Sequence, residues 1–268
     1  MIRLKSQEEI AILRENAELL QAILRRLIEE ARPGVATLEL DRQAERWIAE
    51  IGGRPTFKGY RGYPATICTS LNAEVVHGIP SAQRLLKSGD VLSIDIGMRR
   101  KGFCADLATT VLIGGESDSP AYTYQRRVMQ RAAEALQIGI EQARAGRRVG
   151  DISSAIQRYI NSYGLSVVTN FVGHGIGREM HEEPPVPNYG TAGQGPLLRE
   201  GMVLCIEPMV ADGPSDLLEV EVLEDGWTAR APGATVAAHY EAMVLVGAEP
   251  VVLGTGLVEP QRALATVR

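Results

Sequence analysis

The stretch Val91-Leu92-Ser93-Ile94-Asp95-Ile96-Gly97-Met98, then Arg99-Arg100-Lys101-Gly102, then Phe103-Cys104-Ala105-Asp106-Leu107-Ala108-Thr109-Thr110-Val111-Leu112, reads as a β-hairpin. Both arms have the β-branched and apolar content of strands, and the basic segment between them ends in glycine. Centring the turn between Arg100 and Lys101 sets Asp95 opposite Asp106, with Cβ atoms roughly 5 Å apart. Like charges so placed repel, and Asp is a poor strand former. An apolar hairpin carrying both calls for a cation between them or a shared proton. The plain alternative is two solvated aspartates on a sheet edge.

Composition bounds the class. The 268 residues suit one large domain or two small ones, 45% of them hydrophobic, with mixed charge and a net charge of −5. That is enough to bury a sizeable core. It leaves no footprint for nucleic acid or an anionic membrane. No stretch reaches the apolar length of a membrane span. The first residues run straight into a charged helix with no signal-peptide pattern. Three cysteines, Cys68, Cys104 and Cys205, lack framework spacing. Free thiols in a reducing compartment are expected, and the cytoplasm is the expected address.

Taken in order, Ser6 and Glu9 form a capping box opening a helix to about Ala31. A second helix spans about Thr37 to Ile51, and a strand Ala65 to Ser70 follows. After a charged linker, Ser119-Pro120 starts a third helix to about Ala145. Asp151 caps a fourth to Tyr163. Ser166 to Val172, Met202 to Ile206, Leu218 to Leu223 and Tyr240 to Val246 read as strands. The chain also repeats. Ile28-Glu29-Glu30-Ala31-Arg32-Pro33-Gly34 matches Ile140-Glu141-Gln142-Ala143-Arg144-Ala145-Gly146, and Leu86 to Asp95 aligns with Leu198 to Glu207, both 112 residues later. A duplicated helix–helix–strands unit follows, with halves at about 5–115 and 119–250 of a single catalytic domain. Asp95 and Glu207 then hold equivalent positions and can converge on one site.

Glu207 ends the apolar run Val203-Leu204-Cys205-Ile206, and Glu241 lies in a similar run before Ala242-Met243-Val244-Leu245. Acids embedded in apolar strands are costly unless paired or coordinated. Pairing with buried Arg is the structural alternative, but these strands carry no Arg beside the acids. His174 stands in Gly173-His174-Gly175-Ile176-Gly177, where glycines allow close approach of backbone and ligand. The other three histidines, His77, His181 and His239, also fall beside apparent site segments. Four carboxylates and one imidazole suit two divalent ions, Mn, Fe or Co, with Zn also suited. Such ions lower the pKa of a water and polarise a carbonyl, which equips a site for hydrolysis. Cys104 and Cys205, like Ser93, lie two residues before a ligand and read as small residues filling space beneath the ions.

At these residues the chain resembles the type I methionine aminopeptidases. The motifs are Asn72 to Pro80 with His77, Ser93-Ile94-Asp95, the Asp95/Asp106 spacing, Gly173 to Gly177, His181-Glu182-Glu183-Pro184, Ile206-Glu207-Pro208-Met209, Asp225-Gly226-Trp227 and Glu241. Their order runs over about residues 5–250, without a long insertion between His174 and Glu207, as in the short bacterial form. The resemblance implies an α/β (α+β) pita-bread fold, a pseudo-twofold duplicated unit with a central curved antiparallel sheet covered by helices. It implies that Asp95, Asp106, His174, Glu207 and Glu241 bind two divalent ions (Co, Mn, Fe or Zn). Glu207 would also be the general acid/base toward the water between them. His181 would stabilise the tetrahedral intermediate, and His77 would contact the scissile amide nitrogen. Tyr60, Tyr63, Cys68 and Trp227 would line a methionine pocket. The implied activity is removal of the initiator methionine from nascent polypeptide N-termini when the next residue is small, by a monomer with the ribosome as a candidate docking partner.

The chain departs from that pattern at a few positions. His239 replaces a frequent Gln, Ala242 and Met243 replace His-Thr, Met180 replaces Phe, and Phe57 stands where a small residue or Cys is frequent. These bear on pocket shape, metal preference and rate, and leave a specialised paralogue open. Two rival readings are a proline-directed aminopeptidase or dipeptidase of the same fold, and a metal-free binding paralogue.

Overall fold

The structure is a computed structural model, and it describes residues 2–114 and 119–253. The charged linker expected at 115–118 lies outside the described residues. Among the described residues there are four α-helices: α1 (Gln7–Glu30), α2 (Thr37–Glu50), α3 (Pro120–Gln142) and α4 (Val149–Asn161). The strands that position the site are β1 (Ile67–Leu71), β2 (Val91–Arg100), β3 (Phe103–Leu112), β4 (Gly173–Gly175), β5 (Glu182–Val186), β6 (Val203–Ile206), β7 (Met209–Ala211), β8 (Ala237–His239), β9 (Ala242–Leu245) and β10 (Val251–Leu253).

α1 starts as expected. Ser6 Oγ accepts from the Glu9 amide at 3.3 Å, and the Glu9 carboxylate accepts from the Ser6 amide at 3.1 Å. Its stripe Leu13, Ala17, Leu20, Leu24 and Leu27 is fully buried. The i, i+3, i+4 spacing of that stripe sets which face meets the sheet. Each such leucine contributes about 1.5–3 kcal/mol on burial. One apolar cluster joins α1 and α2 to the β2/β3 hairpin, and a second joins α3 and α4 to β6 and β9. α1 and α3 end 112 residues apart, at Glu30 and Gln142, and β2 and β6 begin 112 residues apart, at Val91 and Val203.

The hairpin is antiparallel, but its register differs from the sequence reading. The turn has two residues, Lys101 and Gly102, at φ 50° and 79°. Positive φ at both positions is the signature of a type I′ turn, whose twist matches that of the strands. Arg100 therefore pairs with Phe103, Asp95 with Ala108, and Gly97 with Asp106. Asp95 and Asp106 are diagonal neighbours on one face rather than directly opposite. Asn16 on α1 fixes the turn by donating from Nδ2 to the Arg100 and Phe103 carbonyls at 2.8 and 3.1 Å.

Gly97, the cross-strand partner of Asp106, has no room for a side chain. A Cβ there would lie 2.2 Å from Thr56 Oγ1 and 2.8 Å from the Phe57 ring. Gly97→Ala is expected to destabilise the fold by about 1–3 kcal/mol through this overpacking, read as a lowered midpoint in denaturant. An unchanged midpoint would show that Phe57 yields without cost.

Other boundaries shifted for identifiable reasons. α3 stops at Gln142 rather than near Ala145, because the Ala145 amide leaves the helix for the Gly247 carbonyl at 2.8 Å. α4 begins at Val149, so Asp151 is its third residue and reaches back to the Arg148 amide at 2.8 Å. The run expected from Ser166 to Val172 pairs only over Ser166–Val168, and that from Leu218 to Leu223 is two short strands. The last expected strand, Tyr240 to Val246, pairs only over Ala242–Leu245, and a separate short strand precedes it. Ala237–His239 pairs with β7, Ala242–Leu245 pairs with β6, and between them the Glu241 amide donates to Ala108 of the hairpin at 2.9 Å.

That break joins the halves. A five-stranded sheet in the order β10-β9-β6-β4-β5 lies against the hairpin along this seam, with β1 pairing on the other side of β2. The expected mixed α/β architecture, antiparallel sheets covered by helices, is what the chain adopts. Among the described residues no helix is long and apolar enough to cross a membrane.

Candidate metal centre

The five expected ligands meet where the two sheets join. β2 supplies Asp95, β3 Asp106 and β4 His174, Glu207 follows the last residue of β6, and Glu241 sits in the break between β8 and β9. Pro208 has no amide hydrogen and so prevents β6 from pairing beyond Glu207. Donor atoms of Asp95, Asp106 and Glu241 lie within 4.8 Å of one another, as do those of Glu207, His239 and Glu241, and those of His174, Cys205 and Glu241. His174 Nε2 is 3.9 Å from Asp106 Oδ2 and 3.7 Å from Glu207 Oε1. Among the described residues the ion pairs of Asp106 and Glu207 are with imidazoles, not with Arg or Lys.

Burial pushes the Asp95 carboxyl up to about 7. Burial first, then the negative charge of neighbouring carboxylates, pushes Asp106 and Glu241 well above the usual carboxylate range. Asp95 Oδ1, Asp106 Oδ1 and Glu241 Oε1 are buried without a hydrogen-bond partner. Orphaned acceptor oxygens of this kind are costly unless a cation takes them. His174 Nδ1 is 3.0 Å from the Gly175 carbonyl, which places the proton there and leaves the Nε2 lone pair toward the carboxylates. Oxygen-rich donors with one bare imidazole nitrogen fit divalent first-row ions. Burial, and Glu241 beside it, push the Cys205 thiol well above the usual thiol range. Cys104 donates its thiol to the Arg178 carbonyl at 3.6 Å.

Around these ligands opens a cleft of about 730 Å³, and every other candidate residue lines it: Tyr60, Tyr63, Cys68, His77, His181 and Trp227. His181 Nδ1 lies 3.0 Å from the Tyr60 hydroxyl, and its ring packs edge-on to His174 at 4.4 Å. His77, at φ 61°, packs edge-on to Phe171 at 4.8 Å and to Trp227 at 6.3 Å. Burial pulls both His77 and His181 down to about 4, so both are neutral at physiological pH. Tyr63 meets Trp227 edge-on at 5.1 Å, and its hydroxyl reaches the Ile67 carbonyl at 3.0 Å. Cys68 pairs across the ladder with Asp95 and is buried beneath the aromatic wall.

Two contributors had no assigned role in the sequence reading. Phe171 forms a wall of the cleft; its only signal is a rare phenylalanine two residues before Gly173-His174. His239, 1% exposed, places Nε2 3.2 Å from Glu207 Oε2. Burial lowers the His239 ring, but the hydrogen bond and charge of Glu207 outweigh it and the net shift is upward.

Comparison with known proteins shows the family. The chain is 44% identical over 246 residues to the methionine aminopeptidase of Clostridium acetobutylicum, covering 92% of this chain and 95% of that one. It is 40% identical to methionine aminopeptidase 1 of Bacillus subtilis, covering 92% and 96%. The crystal structure of methionine aminopeptidase from Thermotoga maritima superposes with a TM-score of 0.89 at 36% identity, covering 96% of this chain and all of that one. Residues 11–248 match metallopeptidase family M24, and the chain belongs to that family.

Proposed function

We propose that the protein is a metal-dependent methionyl aminopeptidase that removes the initiator methionine from nascent polypeptides when the next residue is small. The observation that carries this reading is the convergence of Asp95, Asp106, His174, Glu207 and Glu241 at the floor of a cleft walled by aromatics and a thiol. These five residues would hold two divalent ions, with cobalt, manganese, iron and zinc all suited to the donors. When bound, the ions would supply Lewis acidity, polarising a carbonyl and lowering the pKa of a water.

The chain's own groups do the rest. Glu207 takes the proton of the attacking water and hands it to the amine nitrogen as the C–N bond breaks. The Tyr60 hydroxyl lies 3.0 Å from His181 Nδ1, and by donating to that nitrogen it would hold the His181 proton on Nε2. Neutral at physiological pH, that imidazole donates to the carbonyl oxygen as charge develops on it. His77 lies at the cleft wall, braced by Phe171 and Trp227, and positions the scissile amide. An unbranched thioether fits among Tyr63, Cys68, Phe171 and Trp227, since sulfur packs well at aromatic edges. The setting is the cytoplasm, with nascent chain N-termini as the partner.

Hydrolysis rates of Met-Ala-Ser, Met-Leu-Ser and Xaa-Pro peptides test the reading. Met-Ala-Ser is expected to be turned over fastest; preference for Xaa-Pro would replace this function with the proline-directed one. Trp227→Ala removes one wall of the pocket. It is expected to raise KM for Met-Ala-Ser about tenfold, the equivalent of one aromatic contact, and an unchanged KM would take Trp227 out of the pocket.

A further inference from the structure

Glu207 is flanked by two imidazoles, and the structure gives them opposite proton placements. His174 spends its Nδ1 proton on the Gly175 carbonyl at 3.0 Å and turns a bare Nε2 toward Glu207 Oε1 at 3.7 Å. His239 is the reverse. Its Nδ1 is buried with no partner, while Nε2 sits 3.2 Å from Glu207 Oε2, within hydrogen-bond reach. A buried ring N–H without an acceptor costs more than a bare lone pair, so the proton of the His239 ring that has a partner is the one on Nε2.

The backbone of His239 is fixed as firmly as its side chain. Its amide donates to Thr110 Oγ1 at 2.9 Å, and Thr110 Oγ1 donates back to the His239 carbonyl at 2.8 Å. Ser93 Oγ lies 2.8 Å from the same Thr110 hydroxyl, and the Tyr240 hydroxyl donates to the Thr110 carbonyl at 3.0 Å. The hairpin that carries Asp95 and Asp106 thus holds the residue that holds Glu207. On the other side, Asn188 Nδ2 donates to the Glu207 carbonyl at 2.9 Å and fixes its backbone.

We propose that His239 is a positioning residue for Glu207: its Nε2–H holds Oε2, so that Oε1 is the oxygen presented to the ions and to the reacting water. The inference rests on the acid/base role of Glu207 proposed above. A carboxylate free to rotate would present either oxygen and lose its alignment with the transferred proton. His239 therefore acts through Glu207 and need not touch substrate.

Three substitutions and one spectrum test this. His239→Leu keeps bulk and removes the donor; it is expected to lower kcat about 10- to 100-fold, with KM and bound metal per chain changed by less than about twofold. His239→Gln restores an N–H at the same reach and is expected to recover most of the lost kcat. In the zinc-loaded protein, long-range proton–nitrogen spectra are expected to show one ring, missing in His239→Gln, with its proton on Nε2. Wild-type kcat in His239→Leu, loss of bound metal in that variant, or a metal-bound Nε2 in the spectrum would each overturn the proposal. The last two would make His239 a ligand instead. Glu207→Gln is measured alongside: if it is inactive while His239→Leu is fully active, only the positioning role falls. If it is active, the role of Glu207 falls and this inference with it. Should His239→Leu fail to fold, the wild-type spectrum alone decides.

Discussion

Glu207→Gln is expected to reduce kcat on Met-Ala-Ser about 10³-fold, within the range lost when a positioned general acid/base is removed. The substitution keeps volume and one acceptor oxygen, so circular dichroism and the thermal midpoint should stay close to those of the parent. Glutamine can still accept from His239 at Oε1 and can still lie beside His174, but it cannot take up a proton. Bound metal, measured on the same samples, separates the two parts Glu207 plays. A variant that holds metal but does not turn over has lost the proton shuttle; one that sheds metal has lost a ligand. Near-parental activity would contradict the assigned role in either form.

The second large effect is on stability. In the ion-free protein, the folded-state values of Asp95, Asp106 and Glu241 lie above those of the unfolded chain. The stability these groups contribute is therefore complete at low pH and lost as pH rises through their folded values, with Asp95 at about 7. His77 and His181 act in the opposite sense. Their folded values of about 4 lie below the unfolded value, so stability is lost as pH falls below about 6.5. Between about pH 6.5 and 8 both histidines are neutral in the folded state and shed only about half a proton each from the unfolded one, a small gain in stability. The carboxylates, with His239 whose raised value acts in the same sense, set the larger downward slope. The chelated protein should therefore melt lower at pH 8 than at pH 6.5, by roughly 2–4 °C for each kcal/mol of mutual repulsion. A divalent ion at a hundred times its Kd adds about 2.7 kcal/mol, and should raise the midpoint at pH 8 and flatten the slope. Asp95→Asn should flatten the slope without any ion. Equal midpoints at the two pH values after chelation would show that the cluster carries no such repulsion.

Much of the site could be read from the sequence because its residues break local rules. Asp95, Asp106, Glu207 and Glu241 stand in or beside apolar runs where an acid is costly unless something neutralises it, and His174 stands among glycines. Helix starts were readable for the same local reason, as with Ser6 and Glu9. The hairpin register was not. Composition identifies Arg99 to Gly102 as a turn region, but whether it uses two residues or four depends on the left-handed conformation of Lys101 and Gly102. That choice moves Asp106 by two positions relative to Asp95. The break at Tyr240 and Glu241 was equally hidden, because the pull on the Glu241 amide comes from Ala108, far away in the chain. The walls of the cleft are tertiary facts of the same kind. Tyr60 meets His181 across 121 positions, and Phe171 finds His77 only once the halves have closed. His239 looked like a departure in the sequence and proved to be a partner of Glu207, since only the fold shows which way its ring faces.

The most direct test of the central claim is a metal titration of the chelated protein, following bound ion and Met-Ala-Ser hydrolysis in the same samples. If Asp95, Asp106, His174, Glu207 and Glu241 hold the ions that make this cleft hydrolytic, the stripped protein will be inert. Activity will then return in proportion to bound ion, and Asp106→Asn will regain neither. Stripped protein that keeps its turnover, or Asp106→Asn that binds and cleaves like the parent, would contradict the account.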